Sequence, residues 1–248
     1  MSTDVATVEK QEDLYPEEIY RELVEAGVFY GRSKSKTNPK MKPVVLTNRG
    51  GVEIINLAKT VEGLELAVAF LKDKVRNGQG LIMLVGTQPS AQGGILRLAA
   101  KFGFPHVVRR WLGGTLTNFK IISKQVDLFK KMKTDFASGA LKKYTKKEQL
   151  EFEREIKRLQ ELMGGLEALP KQPDLMVVID PGLHMTAVRE ARRMKVPVIA
   201  YADVDSDPDL VEHAVPGNNK SRKSVEWFLG KIEAAIEEGK ATAKPAPE

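Results

Sequence analysis

The stretch LIMLVG at residues 81–86 is apolar throughout and ends at a glycine. A short run of this kind, closed by a turn residue, is typical of a strand that is buried on both faces of a parallel sheet. Strand and helical patterns of similar length alternate along much of the remaining chain, at 92–102, 106–108, 175–179, 185–194, 198–201 and 221–238. This alternation predicts a three-layer α/β fold with a mainly parallel sheet of flavodoxin- or Rossmann-like topology.

Upstream of this stretch, the sequence predicts two strands and a helix. Residues 44–47 and 53–56 have strand patterns, and the Gly-Gly pair at 50–51 between them predicts a hairpin turn. Apolar residues at helical spacing then predict a helix over 60–75, with Thr60 as its N-cap.

Residues 118–164 interrupt the alternation with two helical patterns and no strand pattern. The two narrow apolar seams consist of Ile122, Val126, Phe129, Met132 and Phe136, and of Phe152, Ile156, Leu159, Met163 and Leu166. They predict an inserted antiparallel helical hairpin, a coiled coil whose helices pack mainly on each other. The predicted organisation is a flexible acidic leader (1–17), an α/β domain (18–117 and 165–240), the hairpin (118–164) and a disordered tail (241–248).

The composition fits a folded protein and excludes several classes. Of 248 residues, 42% are hydrophobic and 29% are charged, which allows a sizeable core. The absence of cysteine excludes disulfide scaffolds, thiolate metal sites and cysteine nucleophiles. Apolar runs fall far short of the roughly 20 residues that a membrane span needs, and residues 1–13 lack the apolar segment of a signal peptide. We therefore expect a soluble, cytoplasmic protein with no membrane partner.

The charges are segregated along the chain. The net charge is +6, yet residues 32–158 hold 26 basic and 10 acidic side chains, and no acidic residue lies between Asp73 and Asp127. A solvated surface normally interleaves both signs, so this asymmetry indicates a polyanionic partner, most simply a nucleic acid. The alternative is a basic surface that binds nothing.

Two segments concentrate the positive charge. Residues 32–43 hold five cations, all between Arg32 and Lys42, and two prolines, which predict an extended loop with its side chains spread along a phosphate backbone. In residues 109–114, two adjacent arginines without an evident salt-bridge partner can fork onto phosphate oxygens, and two glycines allow close approach. Trp111 either stacks on a base or, the favoured alternative, anchors this loop. The candidate RNA-binding residues are Arg32, Lys34, Lys36, Lys40, Lys42, Arg49, Arg109, Arg110, Trp111, Asn118, Lys120 and Lys124.

The sequence contains no recognisable catalytic pattern. The turn at 86–90 lies where a phosphate-binding loop would lie but lacks the required glycines. The three histidines, His106, His184 and His213, are far apart and are interpreted as structural. The acidic string at 203–209 resembles the start of a calcium loop but lacks the glycine and the closing glutamate, so it predicts a turn that binds Mg²⁺ only adventitiously. We therefore predict no catalytic residues, no metal ligands and no cofactor.

Motifs distributed along the chain resemble those of one known family. They are AGV at 26–28, NPKMKP at 38–43, IINL at 54–57, RWLGG at 110–114, LTN at 116–118, SDP at 206–208 and VPGN at 215–218. In this order and spacing they are similar to the bacterial small-subunit ribosomal protein S-two family, from about residue 20 to residue 239. The resemblance implies a non-catalytic constituent of the small ribosomal subunit, with an α/β domain and a helical hairpin that binds ribosomal RNA. It also implies contacts with other small-subunit proteins, including the protein S-one.

Several positions depart from the family pattern. Phe29 and Arg32 stand where the family has histidines, and Gln88-Pro89 replaces a basic pair. His184 replaces a glutamate, and Lys220 lies in a segment that is commonly acidic in the family. Arg32 is still expected to bind a phosphate through its positive charge. The segment around Lys220 is expected to add a further contact with the partner.

A second hypothesis comes from a different functional class. It is a sugar-phosphate- or nucleotide-binding α/β enzyme, which would carry a glycine-rich phosphate turn and a catalytic acid or base at the strand ends. The sequence offers neither, so the prediction is a ribosome-bound structural protein.

Overall fold

The N-terminal part of the chain forms a small antiparallel sheet between two helices. The computed structural model describes residues 15–140 and 144–242. The first elements are α1 (Glu17–Ala26), β1 (Tyr30–Ser33), β2 (Val45–Arg49), β3 (Val52–Ile55) and α2 (Leu57–Arg76). Strand β3 pairs with both β1 and β2 in antiparallel fashion. The predicted hairpin is confirmed, and Gly50 and Gly51 in its turn both adopt the left-handed conformation that favours glycine.

The N-cap of α2 differs from the prediction. Asn56 precedes the helix, and its side-chain oxygen accepts a hydrogen bond from the backbone N–H of Lys59 at 3.3 Å. Thr60 lies inside the helix, where its hydroxyl donates to the carbonyl oxygen of Asn56 at 3.5 Å. The helix begins earlier than predicted because Leu57 already contributes to its buried face.

A five-stranded parallel sheet forms the centre of the fold. Its strands are β4 (Ile82–Val85), β5 (His106–Val107), β6 (Leu175–Ile179), β7 (Val198–Ala202) and β8 (His213–Pro216), in the spatial order β5-β4-β6-β7-β8. All neighbouring strands in it are parallel, which confirms the predicted class. Strand β8 was not predicted, because its closing proline lacks a backbone donor. The structure accommodates this proline on an edge strand.

Helices cover both faces of the parallel sheet. They are α3 (Pro89–Phe102), α4 (Phe119–Ala137), α5 (Lys146–Met163), α6 (Met185–Arg193) and α7 (Arg222–Ala241). On one face, α2, α3 and α7 enclose a core in which Leu84 of the sheet lies with Ile95 and Phe228. On the opposite face, Met83 of the sheet lies in a second core with Val188 of α6. The predicted three-layer α/β architecture is therefore confirmed.

Helices α4 and α5 occupy the segment of the predicted insertion, and part of their apolar faces reaches the sheet core. They are in mutual contact, yet Val126 and Phe129 of α4 and Met163 of α5 are buried in the same core as Met83 and Val178 of the sheet. Helix α6 spans only Met185–Arg193, and apolar side chains of the insertion contribute to the core on the same sheet face. Its base is therefore part of the α/β core, while its coiled-coil geometry stays a prediction.

The ends of the chain were predicted to be a flexible leader (1–17) and a disordered tail (241–248). Most of both segments lies outside the described residues. Glu17 is the first residue of α1 and Ala241 is the last residue of α7, so helical structure reaches into both predicted ends. In residues 15–140 and 144–242, no helix is both long enough and apolar enough to cross a membrane.

Candidate nucleic-acid interface

The arginine loop, residues 109–118, connects β5 to α4 and presents two cations to solvent. Arg109 and Arg110 are both exposed. A guanidinium nitrogen of Arg109 lies 3.8 Å from a carboxylate oxygen of Glu161, a partner that is distant in the sequence and was not predicted. Because both side chains of that pair are more than half exposed, the attraction between them is weak. Arg110 forms no ion pair within the described part of the chain.

The buried carboxylate of Glu190 holds the arginine loop in place. One of its oxygens accepts hydrogen bonds from the indole N–H of Trp111 at 3.0 Å and from the backbone N–H of Gly114 at 2.8 Å. The other accepts from the backbone N–H groups of Leu116 at 3.0 Å and Thr117 at 3.2 Å, and from the Thr117 hydroxyl. Five donors from a single loop thus converge on one side chain, which is 8% exposed.

The protonation state of Glu190 follows from these contacts. Burial raises the pKa of its carboxyl group, but the hydrogen bonds from Trp111 and the loop N–H groups outweigh burial and lower the pKa below 4.5. Glu190 is therefore ionised at neutral pH. A carboxylate that accepts several N–H bonds stabilises the fold above the unfolded pKa, and this stabilisation is lost as the pH falls through the folded pKa.

Glu190 was not among the sequence-predicted site residues. It is surrounded by cations in the sequence and resembles an ordinary surface charge there. The signal that could have found it is its helical spacing, since it lies three residues after Ala187 and next to Ala191 on the buried face of α6. A carboxylate on an apolar helix face needs partners, because unpaired charges are costly to bury.

Trp111 is placed by this network as an anchor of the loop. Its indole N–H is bonded to Glu190, and its ring packs against the second core beside α4 and α6. The anchoring interpretation is therefore favoured over base stacking. Gly114 lies in the same loop with a φ of +88°, a backbone conformation that residues other than glycine rarely adopt.

Three further candidate residues continue the positive surface from the arginine loop onto α4. Asn118 is exposed, and its carbonyl oxygen accepts hydrogen bonds from the N–H groups of Ile121 and Ile122 at the start of the helix. Lys120 and Lys124 are exposed on the first turns of α4 and form no ion pair with any described residue. Six of the predicted residues thus lie on one segment, namely Arg109, Arg110, Trp111, Asn118, Lys120 and Lys124.

The basic loop, residues 32–42, is folded rather than extended. Its residues form two 3₁₀ turns, over Lys34–Lys36 and Pro39–Val44, and Met41 anchors it in the interior. The prediction of an extended loop was wrong because Pro39 starts the second 3₁₀ turn, where its missing N–H is not needed. Asn38 caps that turn by accepting the N–H of Lys40 at 3.0 Å.

The cations of this segment differ in their availability. Lys34, Lys36 and Lys42 are exposed and form no ion pair within residues 15–140 and 144–242. Lys40 is bound by Asp207 and Asp209, with N–O distances of 2.9 and 2.7 Å. The remaining candidate, Arg49, is exposed at the end of β2.

Arg32 occupies an internal position instead of facing a partner. Its guanidinium nitrogens lie 3.0 Å from Asp205, 3.5 Å from Asp203 and 3.6 Å from Asp180, and its side chain is 24% exposed. These three aspartates form the carboxylate cluster, which lies at the carboxyl ends of β6 and β7. Arg32 therefore acts as a counter-ion within the protein, and its assignment as a phosphate-binding residue stays a prediction.

Lys220 and Gln88, which also depart from the family pattern, lie at the same edge of the sheet. The Lys220 ammonium donates to Asp180 at 2.7 Å and to the Gln88 side chain at 3.0 Å. The side-chain amide of Gln88 donates to the carbonyl oxygen of Asn219 at 2.6 Å. The expected partner contact of the segment around Lys220 is thus replaced, for Lys220 itself, by an internal ion pair.

His184 has the structural role that was predicted. Its Nδ1 lies 2.9 Å from the carbonyl oxygen of Asp180, and its Nε2 accepts the backbone N–H of Thr87 at 3.2 Å. Burial lowers the pKa of His184, so the ring is neutral at pH 7 and carries its proton on Nδ1. It ties the turn after β4 to the turn after β6.

The acidic string at 203–209 forms a turn, as predicted. Asp207 caps a 3₁₀ turn over Pro208–Leu210 by accepting the N–H of Asp209 at 3.1 Å. No group of three potential ligands that could hold a metal ion is found among the residues that the structure describes.

The carboxylate cluster makes stability depend on pH. Burial raises the pKa of Asp203 to about 6, and nearby Asp205 and Asp180 add to this, against the Val204 N–H and Arg32. Because this pKa is raised on folding, the protonated Asp203 carboxyl group contributes to the free energy of unfolding. The contribution is fully present below the unfolded pKa, near 3.8, and is lost as the pH rises through 6. We expect Asp203→Asn to remove this loss, because asparagine cannot ionise.

Thermal unfolding of both forms between pH 4 and 7 measures the effect. The melting temperature of Asp203→Asn relative to wild type should rise over this range, whereas exposed Asp73→Asn should leave the pH profile unchanged. The pKa of nearby His184 is lowered, so its contribution to stability changes with pH in the opposite direction. The comparison therefore uses the difference in melting temperature between the variant and wild type at each pH. Parallel profiles for wild type and Asp203→Asn would show that Asp203 keeps an ordinary pKa.

Comparison with known proteins agrees with this architecture. The family model of ribosomal protein S2 matches residues 23–239. The small ribosomal subunit protein uS2 of Thermus thermophilus is 41% identical over 228 residues, which cover 92% of this chain and 89% of that protein. The uS2 proteins of Nitratidesulfovibrio vulgaris and Desulfovibrio desulfuricans are 38% and 37% identical over 224 residues, with 90% of this chain covered in each case and 88% and 86% of the relatives. The chain therefore belongs to the ribosomal protein S2 family, whose members are structural proteins rather than enzymes.

Proposed function

We propose that this protein is a structural constituent of the small ribosomal subunit and binds ribosomal RNA through the arginine loop and the first turns of α4. The observation that carries the proposal is an exposed Arg110 without an ion pair among the described residues, on a loop fixed by the buried Glu190. We take ribosomal RNA as the polyanion, because the relatives are named as small ribosomal subunit proteins.

A fixed loop favours binding for two physical reasons. A guanidinium can donate two parallel hydrogen bonds to a phosphate, which requires a defined orientation. Because Glu190 already orders the backbone from Gly114 to Thr117, little conformational entropy remains to be lost on binding. Phosphate contacts of this kind position a protein on RNA without reading its bases.

The exposed lysines extend this surface. Lys120 and Lys124 continue it along α4, and Lys34, Lys36 and Lys42 add charge from the basic loop. We propose that the rest of the protein surface contacts neighbouring small-subunit proteins, including S-one. We also propose a cytoplasmic location for the protein, bound to the small subunit.

Nucleotide-binding α/β enzymes commonly bind their ligands at the carboxyl-terminal edge of the parallel sheet. In this protein, that edge is filled by the protein's own side chains. In open α/β sheets, ligands bind at the carboxyl ends of the strands. Here Arg32 and Lys220 form ion pairs with the carboxylate cluster, and the Gln88 side chain binds the carbonyl oxygen of Asn219 beside it. This arrangement supports the ribosomal role over a nucleotide-binding enzyme.

Gradient sedimentation tests the proposed function. The purified chain is mixed with small subunits depleted of their own member of this family, and we expect saturable co-sedimentation with the subunit peak. Equilibrium dialysis with ATP and GTP, run alongside, should show no saturable binding. A chain that stays at the top of the gradient while binding a nucleotide would favour the enzyme instead.

A further inference from the structure

The solvent face of α6 carries an arginine cluster, Arg189, Arg192 and Arg193, that the sequence analysis did not single out. All three side chains are exposed. The opposite face of the helix is buried and consists of Ala187, Val188, Glu190 and Ala191. Residues three and four apart are neighbours on a helix, so the guanidinium groups share one side. None of them forms an ion pair within the described ranges.

One flank of this helix adjoins the arginine loop. Glu190 follows Arg189 directly and lies one turn before Arg193, and its carboxylate binds Trp111 and Gly114 of that loop. A side chain can receive these bonds only if α6 runs alongside the loop. Arg189 and Arg193 therefore continue the positive surface that begins at Arg110.

The other flank of the helix adjoins the basic loop. Helix α6 contacts the 3₁₀ turn over Pro208–Leu210. The hydrogen bond from Lys40 lowers the pKa of Asp207, and the charge of Arg192 adds to this lowering, which places Arg192 beside the residues that hold Lys40. The helix thus lies between the two cationic segments that the sequence separates by more than sixty residues.

We infer that the α6 arginine cluster joins the arginine loop and the basic loop into one continuous surface for an RNA sugar-phosphate backbone. The inference rests on the proposed function and extends it to a third element. Charge complementarity carries it, because three exposed guanidinium groups beside two further cationic segments suit a chain of phosphates.

A local explanation accounts for only part of the cluster. Arg192 and Arg193 lie in the last turn of α6, where cations stabilise the negative end of the helix dipole. Arg189 lies before that turn, so the dipole gives no reason for its charge. Lysine substitutions keep the dipole effect and remove the bidentate hydrogen bonds, which allows the two roles to be separated.

The test is a triple variant, Arg189→Gln with Arg192→Gln and Arg193→Gln. Its matched control is Lys74→Gln with Arg76→Gln and Lys240→Gln, which removes the same charge from the opposite helix layer. Both are titrated against a small-subunit ribosomal RNA transcript at several KCl concentrations. The α6 variant should lose at least tenfold in affinity and lower the log–log salt slope by about 2.1–2.7, at 0.7–0.9 for each of three phosphate contacts. The control should change the slope by much less.

Each outcome decides a separate point. If wild type binds the RNA and the α6 variant behaves like the control, the α6 surface is wrong and the proposed function stands. If wild type does not bind at all, both are wrong. If RNA binding is unchanged and a neighbouring small-subunit protein is lost from assembled subunits, the cluster binds an acidic protein. Circular dichroism checks folding, and Arg189→Gln alone, which should lower the slope by 0.7–0.9, decides the matter if the triple variant does not fold.

Discussion

Replacing Arg109 and Arg110 together by glutamate should lower the affinity for small-subunit ribosomal RNA by at least tenfold and reduce the log–log salt slope by about 1.4–1.8. The slope follows from two lost phosphate contacts at 0.7–0.9 each. Both residues are exposed, and the pair of Arg109 with Glu161 is too solvated to contribute much to the fold. Each substitution should therefore change the free energy of unfolding by no more than about 0.5 kcal/mol.

The control for this variant reverses two cations elsewhere. Arg76→Glu with Lys240→Glu changes the net charge equally on the opposite helix layer. Only a general electrostatic effect would make the two variants alike. An unchanged salt slope for the Arg109 and Arg110 variant would show that the arginine loop does not bind RNA. A collapsed melting temperature would show instead that the pair is chiefly structural.

Glu190→Ala should have the largest effect on stability of the substitutions considered. It leaves the indole N–H of Trp111 and the backbone N–H groups of Leu116 and Thr117 without their acceptor. Because buried donors without partners are costly, we expect a loss of about 2–4 kcal/mol in the free energy of unfolding. RNA affinity should fall as well, even at temperatures where the variant is folded, because the loop is no longer ordered before binding.

Urea unfolding of Glu190→Ala and Glu161→Ala provides the measurement and its control. Glu161 is half exposed, and among the described residues its ion-pair partner is Arg109, so its removal should cost less than about 0.5 kcal/mol. The deficit of Glu190→Ala should be complete at pH 7 and shrink as the pH falls below 4.5, because wild type then protonates the same carboxyl group. Equal stabilities of the two variants at pH 7 would refute the role of Glu190.

The sequence predicted the elements whose pattern is local. The run at 81–86 and the one at 175–179 became central strands because continuous apolar residues suit a strand buried on both faces. Strand β8 has a proline and a mixed pattern, and only its pairing with β7 makes it a strand. For a related reason, the burial of the insertion's base in the sheet core was not predicted. A helical seam shows that a face is buried, and not whether a second helix or the sheet covers it.

Contacts between residues far apart in the sequence account for the other differences. Arg32 looks like one more cation in a basic run, and only the fold brings it to the carboxylate cluster. The family departures Arg32, Gln88, His184 and Lys220 were treated separately, yet they adjoin Asp180 or one another at one edge of the sheet. At this edge, the positive charges pair with Asp180 and the polar side chains form hydrogen bonds. Because these contacts join residues far apart in the sequence, no single departure predicts them.

A density map of small ribosomal subunits containing this chain tests the central claim most directly. We predict phosphate density within hydrogen-bonding distance, about 2.7–3.2 Å, of the Arg110 guanidinium, with Glu190 still bound to the arginine loop and Arg32 still bound to the carboxylate cluster. RNA that lies beside the exposed face of α6 would agree with the further inference. A map in which the arginine loop faces solvent, or in which RNA contacts only the opposite helix layer, would contradict the account.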